Sequence, residues 1–109
     1  MIRVEVAHNL EGRLTSFTVT NHGSSFVCGA VSMLVLNTIN SIETLTNQAF
    51  NCHYNEGGGY IQFSLKGRRT SKAGVLLDAM LLGLKSTQEQ YPREITVLSM
   101  ESDDFVAIN

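Results

Sequence analysis

His22 and Cys28 stand six positions apart in "NHGSSFVCGAVS", residues 21–32, and are the residue types in this sequence best suited to cutting an acyl bond. A thiolate is the nucleophile in such chemistry. A neighbouring imidazole takes the thiol proton and hands it to the leaving amine. Six residue steps extend to about 20 Å at most, so a curled loop brings the two side chains within hydrogen-bond reach. Cys28 falls in the first turn of a helix if Ser24 or Ser25 caps it. The free N–H groups and the positive dipole end of such a turn favour a thiolate over a thiol. The same N–H groups are suited to receiving an oxyanion. Ser32, one turn beyond Cys28 on the same helix face, is expected to hydrogen-bond the thiolate or orient a substrate. The competing reading makes Cys28 a buried thiol and His22 a loop histidine bonded to its surroundings, and composition leaves both open.

The elements that must position this pair are readable from periodicity and punctuation. "MIRVEVAHNL" alternates Ile2, Val4 and Val6 with polar residues, and "RLTSFTVT" is rich in β-branched and aromatic types, so Asn9 and Gly12 between them predict a hairpin. From Ser24 or Ser25, the residues Val27, Val31, Leu34, Val35, Ile39, Ile42 and Leu45 recur at helical spacing. "AFNCHYNEGGGYIQFSLK" alternates on either side of Gly57, Gly58 and Gly59, predicting a second hairpin with Phe50, Cys52 and Tyr54 on one face. The segment "RTSKAGVLLDAMLLGLKSTQEQY" is apolar nearly all round from Val75 to Leu84, as in a helix covered on several sides, and Pro92 stops it. "REITVLSM" then reads as a last strand before the acidic "ESDD" and a frayed end. The expected fold is α+β, strand-strand-helix-strand-strand-helix-strand, with two helices packed on a mainly antiparallel sheet.

The 109 residues suit one domain, 1–109. A net charge of −2 removes the general attraction to phosphate backbones, so direct nucleic-acid binding of that kind is not expected. Cys28 and Cys52 form neither a CxxC motif nor a zinc set; no metal or cofactor is implied, and the cytoplasm is the expected location. The apolar stretches read as too short for a bilayer, which takes about 20 residues, and no membrane role follows.

Taken together, "NHG", "FVCGAVSMLVLNTINSIETL" and "EGGGYIQFSL" resemble the ribosomal-processing cysteine protease family, called Prp or YsxB-like, over nearly the whole chain. Members show a Gly-His-Ala element, a loop, Val-Cys with a serine four positions later, and an Asn-x-Ile/Val-Asn-Ser/Ala-Ile run. His22, Cys28, Ser32 and "NTINSI" (residues 37–42) match. The resemblance implies a dimeric cytoplasmic endopeptidase that removes a short N-terminal extension from a large-subunit ribosomal protein near the peptidyl-transferase centre. His22 and Cys28 would inherit the catalytic roles. It also implies cleavage after an aromatic pair, and therefore an apolar groove that the sequence does not locate. Where members carry a longer Gly- and acid-containing loop between histidine and cysteine, this chain has only "GSSFV", with Asn21 and Gly23 in place of the motif glycine and alanine. The alternative of another class is a non-catalytic dimeric ribosome-assembly or binding module of the same fold.

The remaining candidates have plainer readings. "KGRRTSK", from Lys66 to Lys72, is a solvated turn supplying an N-cap in Thr70 or Ser71, or else a contact for ribosomal RNA or an acidic partner. The "EGGGY" glycines lack a following Lys-Ser/Thr and join two strands, so they make a turn and not a phosphate loop. Cys52 and His53 are adjacent, point to opposite strand faces and cannot ligate together; Cys52 is a core residue and His8 has no assigned role. Asp78, within the apolar helix, is expected to face solvent, a dimer partner or Lys85.

Overall fold

The computed structural model describes residues 1–55 and 57–100. Seven elements follow in the expected order: β1 (Ile2–His8), β2 (Leu14–Thr20), α1 (Ser25–Leu45), β3 (Phe50–Tyr54), β4 (Tyr60–Leu65), α2 (Ser71–Gln90) and β5 (Ile95–Met100). The acidic residues 101–104 and the C-terminal end lie outside the described residues. One five-stranded sheet runs β3-β4-β2-β1-β5, antiparallel except where β5 lies parallel to β1.

The first hairpin turns at Asn9, whose side-chain oxygen accepts from the N–H groups of Glu11 and Arg13, with Gly12 at φ +77 completing the turn. Ala7 pairs with Ser16 but His8 with Leu14, so Thr15 is an extra residue in β2. That irregularity lets Leu14 and Phe17, three apart, both face the core. Phe17 and Phe63 stack across β2 and β4 with ring centroids 5.1 Å apart, and Phe50 on β3 stacks on Phe63 at 5.0 Å.

Both helices begin at side-chain caps. The Ser24 hydroxyl accepts from the Val27 N–H, and that of Thr70 from the Ala73 N–H. Val27, Val31, Val35, Ile39 and Ile42 form the buried stripe of α1. Leu45, expected in that stripe, is 66% exposed, while Thr38 is buried with its hydroxyl donating to the Leu34 carbonyl at 2.7 Å. With 21 residues, α1 is long and apolar enough by length and composition to cross a bilayer, contrary to the sequence reading, although in this fold its apolar stripe is buried in the core.

Helix α2 buries Ala73, Leu77, Met80 and Leu84. Its apolar residues are not covered all round as expected: Val75 and Leu82 are 68% and 70% exposed. Gly83 lies where a Cβ would come 2.9 Å from the Leu34 side chain, so its bareness permits the close approach of α1 to α2. Asp78 meets neither Lys85 nor open solvent alone. Its carboxylate accepts from Arg69 Nη2 at 2.8 Å, and Arg69, nearly buried, also donates to the Leu14 carbonyl. The basic stretch is therefore partly structural, leaving Lys66, Arg68 and Lys72 at the surface.

Candidate active site

Strand register gathers one end of the sheet into a site. Thr20, the last residue of β2, lies opposite Arg3 near the start of β1 and opposite Tyr60 at the start of β4, while Ile2 pairs with Ile95 at the start of β5. The end of one strand and the beginnings of three others thus meet. The residues just outside them, His22, Gly59 and Glu94, become neighbours although they are distant in sequence.

The connection from β2 to α1 is held at each step. Asn21, at the position where the resembled motif has glycine, adopts φ +73, a left-handed conformation that asparagine tolerates better than most residues. The Asn21 N–H donates to the Gly59 carbonyl at 3.0 Å. Gly23 packs so closely that a Cβ there would sit 3.2 Å from Ile2 Cδ1. Ser24 donates its N–H to a Glu94 carboxylate oxygen at 2.9 Å, pinning the N-cap of α1 to the residue before β5. Hydrogen bonds from the Ser24 side chain and then its backbone hold the Glu94 carboxyl below its ordinary range, aided by the N-terminal ammonium and opposed by slight desolvation.

His22 and Cys28 are brought together as expected. Cys28 Sγ lies 3.9 Å from His22 Nδ1, with the histidine exposed and the cysteine half-buried. The Gly23 N–H donates to Sγ at 3.2 Å, and the thiol can donate to the Gly23 carbonyl at 3.7 Å. The Gly23 peptide N–H is thus aimed at the sulfur. Cys28 is four residues past the cap, and its own N–H is taken by the Ser24 carbonyl at 2.8 Å. With the Val27 N–H bonded to the Ser24 hydroxyl, the first turn leaves the amides of Ser25 and Phe26 as its open donors among the described residues.

Ser32 does not bond the thiol. It lines a groove of about 720 Å³ that runs along α1, where Ser32, Leu36 and Ile39 face Cys52, Tyr54 and Ile61 of the second hairpin. Gly58 and Gly59 line the same groove, and Gly59 also lies against His22. Burial pushes the Cys52 thiol up, while its neighbour His53 on the opposite strand face is exposed. His8 Nδ1 lies 3.2 Å from Ser99 Oγ, away from this site. Among the described residues, no group of three or more His, Cys, Asp or Glu is placed to hold a metal.

Sequence reasoning found the pair, the cap and the turn but missed three partners: the Gly59 seat beneath His22, the Glu94 clamp and the groove. A weak signal existed for the first, since three consecutive glycines exceed what a hairpin turn requires. Glu94 carried none, because its role depends on β5 lying beside β1.

The profile of the family described as "Cysteine protease Prp" matches residues 1–96. The chain is 27% identical over 101 residues to the ribosomal processing cysteine protease Prp of Staphylococcus aureus, covering 87% of this chain and 95% of that one. It is 25% identical over 107 residues to the protein of that name from Bacillus subtilis, covering 89% and 96%. The crystal structure of the S. aureus protease with a covalently linked product peptide superposes with a TM-score of 0.88 at 26% identity, covering 92% of this chain and all of that one.

Proposed function

The chain belongs to the Prp family of cysteine proteases, and from that premise we propose that it removes a short N-terminal extension from a bacterial large-subunit ribosomal protein, with Cys28 as nucleophile and His22 as acid–base. The approach of Cys28 Sγ to His22 Nδ1 at 3.9 Å, on a sulfur already facing the Gly23 N–H, carries this reading. His22 takes the thiol proton, and sulfur attacks the scissile carbonyl carbon to form a tetrahedral adduct. Collapse breaks the C–N bond, and the departing amine takes the proton from His22, leaving a thioester on Cys28. Water, deprotonated by His22, attacks the thioester carbonyl and frees the carboxylate of the extension and the thiol. The open amides of the first turn are the nearest helical donors for the oxyanion, and Ser32 contributes to substrate binding from the groove wall.

The groove between α1 and the second hairpin supplies the apolar surface that an extension ending in aromatic residues needs. The chain works as a homodimer in the cytoplasm. Two unbridged cysteines suit a reducing compartment. Exposed Met33 on α1 with Val75 and Leu82 on α2 gives the helical layer an apolar outer side suited to a second copy.

The test is the N-terminal mass of the ribosomal precursor after incubation with the natural protein or the Cys28→Ala variant. Removal of the extension by the natural protein alone is expected. A precursor left intact by both would instead leave a binding module of the same fold.

A further inference from the structure

A thiol hydrolase needs its imidazole aimed, and the usual device is a third polar group bonded to the far ring nitrogen. Among the described residues, no carboxylate, amide or hydroxyl bonds His22 Nε2. What lies there is the β3–β4 turn. A Cβ added at Gly59 would stand 2.6 Å from Nε2, 3.3 Å from Cε1 and 3.4 Å from Cδ2, so the ring rests on the bare glycine. The Gly59 carbonyl also accepts the Asn21 N–H, which fixes the backbone immediately before the histidine. The imidazole is thus held between a hairpin turn on its Nε2 side and the sulfur on its Nδ1 side.

We infer that Gly59 is a positioning residue for the base: its lack of a side chain, together with its carbonyl bond to Asn21, orients His22 toward Cys28 in place of a polar third member. The inference rests on the His22–Cys28 reading above. Gly59 also lines the groove, so a substrate filling it presses on the turn that seats the base. Contacts remote from the scissile bond then act on turnover as well as on binding.

A glycine outside the site supplies the control. Gly12, at φ +77, would bear the same left-handed backbone cost as Gly59, at φ +81, but has open space around it and lies away from the groove. The experiment measures Cys28 alkylation by iodoacetamide across pH, and kcat and KM on a precursor peptide, for Gly59→Ala and Gly12→Ala. Gly59→Ala should slow both reactions about tenfold or more, because a misdirected base forfeits much of its contribution, while KM shifts by no more than about twofold. Gly12→Ala should stay within about twofold of the natural protein. In a His22→Ala background, Gly59→Ala should add nothing to the loss of alkylation rate.

Equal losses in Gly12→Ala, or an undiminished effect of Gly59→Ala without His22, would overturn the assignment in favour of mere backbone strain. Should Gly59→Ala fail to fold, the natural protein decides: a nuclear Overhauser effect between the Gly59 α-protons and the His22 ring protons is expected, and its absence overturns the contact. The alkylation and NMR measurements need no peptidase activity. A protein that leaves the peptide uncut yet shows both signatures retains this inference and loses the proposed function.

Discussion

Two free thiols, Cys28 and Cys52, are both half-buried, yet their surroundings differ. Sulfur at position 28 faces an amide donor and an imidazole; sulfur at position 52 packs against the core, where burial raises its thiol and disfavours the reactive anion. Near neutral pH, a small alkylating reagent should therefore modify Cys28 well before Cys52, by about tenfold or more in rate, and His22→Ala should narrow the gap. Peptide mapping of the modified protein over time reads the ratio directly. Comparable rates at the two cysteines would remove the physical basis for a nucleophile at position 28. At the same scale, Asn21 shows why a departure from a family motif need not disturb the site. The position demands a left-handed backbone, and asparagine meets that demand without the larger penalty of a branched residue.

Among the elements, the start of α1 matters most, since it carries the cysteine and depends on contacts from outside the helix. Ser24 caps the helix through its hydroxyl while its backbone N–H is held by Glu94, so β5 determines where the first turn sits. The Glu94 carboxyl is held below its ordinary value by the Ser24 hydrogen bonds. Its folded value lies below its unfolded one, so this contact contributes its full stability above the ordinary carboxylate pKa. That contribution fades as pH falls through the ordinary range to the lowered folded value. Glu94→Gln should then be less stable than the natural protein at neutral pH, with the difference shrinking on acidification. Denaturant unfolding across that range measures it. A difference that is constant or grows toward acid would show that the Ser24–Glu94 contact does not favour the carboxylate.

For the molecule as a whole, the two sides differ in what they expose. The sheet end and the groove carry the proposed chemistry, whereas the helical layer turns Val75, Leu82 and Met33 outward at 68%, 70% and 71% exposure. Neither helix is complete as an amphipathic element within one chain, because each keeps large apolar residues in water after its buried stripe is satisfied. A second copy on this layer would bury them while leaving the groove open. On the proposed dimer, the natural chain should sediment as two copies and the double variant Val75→Glu/Leu82→Glu as one, with the fold kept because both positions are already exposed. A dimer that survives both charges places the interface elsewhere. The nearly buried Arg69, shared between Asp78 and the Leu14 carbonyl, ties α2 to β2 beneath this surface and withdraws one cation from the basic stretch.

The sequence by itself determined whatever depends on neighbours along the chain. Period-2 and period-3.6 apolar spacing fixed the order of the seven elements, Ser24 and Thr70 started the helices, and Asn9 with Gly12 turned the first hairpin. His22 and Cys28 were legible for the same reason, since one short connection joins them. Strand order and register decided the rest. Placing β4 and β5 on either side of the β1–β2 pair set Gly59 beneath the imidazole and Glu94 at the helix cap, and it opened the groove beside α1. Arg69 reached the Leu14 carbonyl, 55 residues away in the chain. Those juxtapositions arise from packing and hydrogen bonding between segments far apart in the chain, which no local pattern of residue types encodes.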